Sequence, residues 1–346
     1  MSTPLLLKGA PSSPYTRKML AVLRFRRIPY ALLTWGSSRL AALPQAKSEM
    51  LPTFYLPNAA GELEAVIDST PLIRRFETMF PTRKVRPTDP VVRFFDSLIE
   101  DYADEWLTKA TFHYRWSFAE DIRKAGNILT LSAGVTAADS VVAESSARFS
   151  RHQIGRLKYV GSSPGTAHII EASYLRFLDV FEAHLKTRPF LMGSRPGASD
   201  FGVYGQLTQL AHFDPTPSAI ALARAPRTYT WVGLVEDLSG LEPTADEWLA
   251  RDAISATLNE ILAEASRTYV PLMVANARAI RSGATQVIAE IDGQPWVQDP
   301  FRYQAKCLAW LREEFAALSP SDRDAALRIL NNTNCHALVS EPLFDT

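Results

Sequence analysis

Sulfur is scarce in this chain: 346 residues carry two cysteines, Cys307 and Cys335, both near the C-terminus. The opening Met1-Ser2-Thr3-Pro4 has no basic leader, so no secretory signal is expected and the two thiols are read as reduced, in a cytoplasmic protein. Net charge is also missing, because 37 lysines and arginines balance 37 aspartates and glutamates. No overall field therefore draws the protein to nucleic acid or to an anionic surface. No apolar run approaches membrane-spanning length, and membrane insertion is not expected. There is no internal repeat and no low-complexity tract. Glu100, Asp101, Asp104 and Glu105 form i,i+4 acidic pairs on a helix, but no Glu-x-x-His pattern accompanies them. They read as a solvated or arginine-paired face, and no metal is expected.

What the chain has is apolar content and alternating element signals. At 47% hydrophobic and this length it has room for two or three domains. Leu5-Leu6-Leu7 reads as a strand, Pro14 to Arg26 as a helix, Tyr30 to Trp35 as a strand, and Ser38 to about Lys47 as a poorer helix. Two strands follow, Leu51 to Leu56 and Glu64 to Ile67, turned at Ala60-Gly61, and then a helix from Asp68-Ser69 with Leu72, Ile73, Phe76 and Phe80 at helical spacing. This β-α-β-α-β-β-α order predicts a mixed α/β domain over residues 1–82.

From Pro90 the signals become helical alone. Val91, Phe95, Leu98, Tyr102 and Trp106 mark one long amphipathic helix, and Ile170, Tyr174, Phe177, Phe181 and Leu185 another. A third opens near Asp200. The alanine- and serine-rich stretch from Ala133 to Ser150 has weak periodicity and no assigned structure. An all-helical domain is expected over 90–268, with a C-terminal extension over 269–346 packed on it. The extension holds a hairpin turned at Asp292-Gly293 and two helices, the last opened by Ser319-Pro320.

Chemistry concentrates at Ser13-Pro14-Tyr15-Thr16, between the first strand and the first helix. Serine at the N-cap with proline in the first helical position aims a hydroxyl and a positive helix end at one point, a setting that favours an anion such as a thiolate. A glutaredoxin-like Cys-Pro-Tyr-Cys would place sulfur at both ends of this motif. Here both positions are oxygen, which excludes dithiol redox chemistry at the site.

With Ser13-Pro14, Leu51-Pro52 and Asp68-Ser69 in order, the first domain resembles the thioredoxin-like half of a cytosolic glutathione S-transferase of the serine type. The segment Pro189 to Gly193 through Ala198-Ser199-Asp200-Phe201 is similar to the family's second-domain motif, with Gly197 where members usually carry Ser or Thr. The resemblance covers residues 4–80 well and 90–235 loosely. It implies glutathione as cofactor, with Ser13 donating its hydroxyl to the sulfur and Ser12 as the alternative donor. Leu51, before a cis bond to Pro52, would pair its main chain with the cysteinyl part. Asp68 and Ser69 would hold the γ-glutamyl end, and Lys47 or Arg39 the glycyl carboxylate.

The implied activity is a transferase in which the glutathione thiolate attacks a small hydrophobic electrophile, in a protein expected to form homodimers. Isomerisation, or cleavage of a carbon–oxygen or carbon–halogen bond, would use the same thiolate. A non-catalytic binding or assembly role on the same fold is the rival of a different class. The run Phe112-His113-Tyr114-Arg115-Trp116 is open to two readings, a wall of the substrate cleft or core packing with an arginine network to the preceding carboxylates. Tyr303, Gln304, Lys306 and Cys307 read as a clamp for the extension or as a lid over the site, with Cys307 buried and unreactive.

Overall fold

The computed structural model describes residues 4–34, 37–244 and 247–340. Strands β1 (Leu5–Lys8), β2 (Tyr30–Leu33), β3 (Thr53–Pro57) and β4 (Leu63–Ile67) form one sheet in the order β2-β1-β3-β4, with β1 and β2 parallel and the other neighbours antiparallel. Helix α1 (Pro14–Phe25) follows β1, and α2 (Ser69–Met79) follows β4. Leu7, Phe54 and Leu56 from the sheet join Met19, Leu23, Leu72 and Phe76 from the helices in the core. The expected helix over Ser38–Lys47 is instead a 3₁₀ turn, Ser38–Ala42. Pro44 is the cause: it holds Leu43 extended, at φ −100° and ψ 150°, so the coil cannot continue. Strand β2 ends at Leu33, and Trp35 lies outside the described residues.

The helical part opens at α3 (Pro90–Tyr102), capped by Asp89, whose carboxylate accepts from the Val91 and Val92 amides at 2.8 and 3.1 Å. A widened π turn, Ala103–Leu107, joins it to α4 (Thr108–Ser117). Helices α5 (Ala119–Leu131) and α6 (Asp139–Ile154) follow, and α6 supplies structure to the stretch whose periodicity was weak. Its contact with α5 uses small residues: a Cβ on Gly126 would fall 2.5 Å from Ser150 Oγ and 2.6 Å from Ser146 Oγ. Close approach of that kind writes alanine and serine into the sequence rather than an apolar stripe.

Helices α7 (Ala167–Leu185), α8 (Ala198–Leu207), α9 (Pro215–Arg224) and α10 (Pro226–Val235) complete the bundle. The Gly197 departure has a physical explanation. Asp96 of α3 accepts from the Ala198 amide at 3.2 Å and from the Ser199 amide and hydroxyl at 3.0 and 2.6 Å, so a neighbouring helix caps α8 from outside. A Cβ at position 197 would lie 2.4 Å from Asp96 Oδ1. Asp200 closes the same turn by accepting from the Gly197 and Leu191 amides at 2.8 and 2.9 Å.

Helix α11 (Ala256–Ser282) runs unbroken through residue 268, where the sequence places the start of the extension. Strands β5 (Val287–Ile291) and β6 (Gln294–Gln298) form the hairpin, and Asp292 and Gly293 turn it with φ of 53° and 71°. Helices α12 (Arg302–Ala316), α13 (Pro320–Asn332) and α14 (Ala337–Ser340) end the described chain. Trp296 of β6 is fully buried against Trp106, 5.5 Å between ring centroids. Helix α12 lies on α3 through Phe315 and Phe94, and Glu314 binds both Arg74 and Arg86 at 2.8 Å. Among the described residues, no helix is long and apolar enough to cross a membrane.

Candidate functional site

Sheet register brings three loops to one edge. Lys8 pairs with Thr53, and Thr53 pairs with Ile67. The segment leaving β1 toward Ser13, the one entering β3 through Leu51-Pro52, and the one leaving β4 at Asp68-Ser69 therefore start from adjacent strand ends. The Leu51–Pro52 peptide is cis.

Ser13 is the N-cap of α1, extended at φ −92° and ψ 124°, with its hydroxyl oxygen accepting from the Thr16 amide at 3.3 Å. Thr16 turns its own hydroxyl oxygen back to accept from the Ala10 amide, also at 3.3 Å, which fixes the loop ahead of the helix. Accepting at the cap leaves the Ser13 proton available for donation. Ser12, Ser13 and Leu51 line one end of a cavity of about 1100 Å³. Phe112, Trp116, Leu129, Val142 and Phe149 give it an apolar wall. Among the described residues no acidic side chain lines it, whereas Arg115, Arg148 and Arg156 do.

Asp68 and Ser69 do not line that cavity. Asp68 holds φ 85° and ψ 113°, a conformation that costs a non-glycine residue on the order of 1–3 kcal/mol. Burial pushes its carboxyl up from the ordinary value, while a hydrogen bond from Tyr303 of α12 and the charges of Lys18 and Lys306 pull the other way. Ser69 is buried, and its hydroxyl accepts from Lys18 Nζ at 3.1 Å. Lys18, fully buried on α1, also donates to Glu100 at 2.7 Å and Asp104 at 2.6 Å. Burial alone would lower this ammonium's pKa, but the two carboxylates outweigh it and hold the group charged. Arg39 and Lys47 are exposed and lie outside the cavity lining.

The acidic face of α3 is therefore not solvated, and its cation is a lysine rather than an arginine. Glu100 and Asp104 are buried against Lys18 of α1, and Glu105 is buried against Gln304 and Cys307 of α12, about two hundred positions away in sequence. Of the aromatic run, Phe112, Arg115 and Trp116 line the cavity, whereas His113 and Tyr114 do not. His113 Nδ1 meets Ser162 Oγ at 2.8 Å and Nε2 meets Glu171 at 3.2 Å, within the bundle, and burial lowers its pKa. Arg115 pairs with Asp214 at 2.8 Å, not with the preceding carboxylates. No described residue of the extension lines the cavity, so α12 acts as a clamp, through Tyr303 to Asp68, and not as a lid.

Three contributors carry no role in the sequence pattern. Tyr15 follows Ser13 closely and its hydroxyl donates to the Asp104 carbonyl at 2.8 Å, a tie between α1 and the π turn. The α6 wall was invisible because small-residue packing hides its period. Lys18 carried a signal that could have been used, a lysine in an otherwise apolar helix face between Thr16 and Met19-Leu20.

Residues 7–84 match the family model "Glutathione S-transferase, N-terminal domain", and residues 133–233 match "Glutathione S-transferase, C-terminal domain". The chain belongs to the glutathione S-transferase family. Among solved structures it is similar to a glutathione S-transferase from Methylobacterium radiotolerans in complex with glutathione sulfonate, at 20% identity over 71% of this chain and 95% of that one, TM-score 0.41. It is similar also to a glutathione S-transferase from Rhodospirillum rubrum, at 16% identity over 72% and 98%, TM-score 0.42. A third is the beta-etherase LigF from a Sphingobium strain, at 14% identity over 71% and 98%, TM-score 0.47. No curated protein matches the chain.

Proposed function

We propose that this chain is a glutathione-dependent transferase in which Ser13 stabilises the thiolate of bound glutathione for attack on a hydrophobic electrophile. The observation that carries the reading is the Ser13 hydroxyl at the head of α1, with its proton free, at the end of a large cavity it shares with Leu51 and an apolar wall. The Leu51 main chain would pair with the cysteinyl residue, and Ser69 and Asp68 would take the γ-glutamyl carboxylate and ammonium. The costly backbone of Asp68 supports a functional role for that corner. Arg39 or Lys47 would meet the glycyl carboxylate from the exposed side.

A free thiol ionises near pH 8.5, and a helix N-terminus lowers that to about 7 or below. Here the hydroxyl bond and the helix end would do this without an acid beside them, since no carboxylate among the described residues lines the cavity. The thiolate sulfur then forms a bond to the electrophilic carbon, and the leaving group departs with the electron pair of the bond it breaks. Rate comes from stabilising the thiolate and holding both reactants together. Phe112, Trp116 and Phe149 would receive the apolar body of the electrophile.

Calorimetry with glutathione, followed by conjugation assays against aryl halides and activated alkenes, tests the reading. Saturable binding and a thioether product are expected. A folded protein that binds no glutathione would point instead to a binding or assembly role, and regenerated glutathione would reveal isomerisation.

A further inference from the structure

One buried cluster takes no part in that reaction. Asp101 and Glu105, four residues apart across the start of the π turn, face Cys307 of α12, and one ligand-type atom from each lies within 4.8 Å of the others. Glu105 and Cys307 are buried, and Asp101 is partly exposed, which leaves a path inward. No arginine or lysine is hydrogen-bonded to any of the three among the described contacts: Lys18 serves Glu100 and Asp104, and Lys109 donates to the Val160 carbonyl and Gln298. Two carboxyls and a thiol are thus gathered at one largely buried point with no cation hydrogen-bonded to them among the described residues, an arrangement that needs protons or a metal.

A second observation decides between these. Gln304, on α12 one turn before Cys307 and only 3% exposed, directs its amide at Glu105, yet its Oε1 has no hydrogen-bond partner. Asp104 Oδ1, beside Glu105 in sequence, is likewise buried without one. Both orphans are acceptors. A cation answers such oxygens without adding a donor. A half-turn of the Gln304 amide would exchange the group it turns to Glu105, putting Oε1 where the amide nitrogen now stands.

We propose that Asp101, Glu105 and Cys307, with Gln304 Oε1 as the fourth ligand, bind one zinc ion that clips the C-terminal extension to α3. One thiolate with oxygen donors in a fourfold set suits a borderline-soft ion that accepts tetrahedral geometry, whereas magnesium and calcium reject sulfur. Bond lengths of about 2.3 Å to sulfur and 2.0–2.2 Å to oxygen put tetrahedral ligands roughly 3.4–3.7 Å apart. The Cys307 Sγ to Glu105 Oε1 distance is already 3.8 Å. Outer partners stand in place: the Tyr269 hydroxyl donates to Asp101, and Tyr303 hydrogen-bonds Cys307. Binding expels the thiol proton of Cys307, and any proton held by the carboxyls, to solvent.

The test uses the full-length protein, stripped with a chelator and returned to equimolar zinc, with metal content measured after gel filtration. Cobalt(II) serves as the spectroscopic probe, because a thiolate-to-cobalt charge-transfer band reports sulfur ligation. One zinc per chain and the cobalt band are expected, both lost in Cys307→Ser with its circular dichroism retained. Tyr269→Phe, which removes only an outer hydrogen bond, should weaken zinc binding by roughly 10- to 100-fold while keeping the band. Folded wild-type protein that retains no zinc and gives no cobalt band overturns the proposal, as does a Cys307→Ser variant that binds like wild type. If Cys307→Ser fails to fold, Gln304→Leu replaces it, and an unchanged zinc affinity there removes the fourth ligand and refutes the fourfold set.

Discussion

Replacing Ser13 separates two jobs that one oxygen performs. Its lone pair caps α1 by accepting from the Thr16 amide, and its proton is the proposed donor to sulfur. Ser13→Ala removes both. Loss of an N-cap costs about 1 kcal/mol of stability, which leaves a protein of this size folded. Loss of a hydrogen bond to a charged group costs roughly 1.5–3 kcal/mol, which converts to a fall in kcat/KM of about 10- to 150-fold at neutral pH. The same energy raises the thiol pKa of bound glutathione by about 1–2 units, so the pH–rate profile should move alkaline by that amount. Ser13→Asp separates the two jobs: its carboxylate still caps the helix but cannot donate, so stability should survive while activity falls at least as far as in the alanine variant. Ser13→Thr should keep both. The assay is conjugation rate against pH, with thermal unfolding in parallel. Wild-type turnover and an unmoved profile in folded Ser13→Ala would refute the reasoning, and loss of activity in Ser12→Ala instead would shift the role to the neighbouring hydroxyl, which shares the cavity.

Other perturbations reach different parts of the argument. Asp68→Asn should raise KM for glutathione roughly 10-fold with little change in kcat, since the lost contact is to the ammonium and not to sulfur; an unchanged KM in steady-state assays would remove Asp68 from the site. Gly197→Ala forces a methyl group to 2.4 Å from Asp96 Oδ1 and should cost about 1–3 kcal/mol, lowering Tm by a few degrees; an unaltered Tm would show that the α3–α8 cap yields freely. Lys109, 1% exposed, is pulled down to about 8 chiefly by burial, against the charge of Glu105, which raises it. A lysine with a lowered folded-state pKa penalises folding while charged, so wild-type stability should rise between pH 8 and 10.5 relative to Lys109→Met, by on the order of 3 kcal/mol. Parallel denaturation curves for the two proteins across that range would contradict it.

The features legible in the sequence were those written by neighbours in the chain. The Ser13-Pro14 cap, the Asp292-Gly293 turn and the order of elements in the first domain follow from residue types that bias their own backbone. The helical pattern over Ser38–Lys47 contains Pro44, whose ring keeps Leu43 extended and stops the coil at Ala42. Helix α6 failed to announce itself for a different reason, because Ser146 and Ser150 pack on Gly126 and leave no apolar period to read. The acidic face of α3 was legible as a face but not as a buried one. Its cover, Tyr303, Gln304 and Cys307, comes from α12, and i,i+4 spacing contains no information about a partner so distant in the chain. Gly197 reads as a weakened motif in sequence because its cap, Asp96, comes from another helix.

That same α3 face explains how the helical domain can set the geometry of a site built on strand ends. Lys18 lies on α1 one turn and a half behind Ser13, and its ammonium reaches Ser69 at the head of α2 and Glu100 and Asp104 on the far side. Tyr15 adds a bond from the first turn of α1 to the Asp104 carbonyl. The heads of α1 and α2, which carry the two ends of the proposed glutathione site, are thus fixed relative to each other through one buried cation and one widened turn. π turns of this kind interrupt α-helices frequently at functional positions. Exchanging Lys18 for methionine would strand Glu100 and Asp104 as unpaired buried charges, a cost of about 3–5 kcal/mol. The disturbance should spread to both helix heads, so that glutathione affinity and thiolate pKa change together although Lys18 lines no part of the cavity.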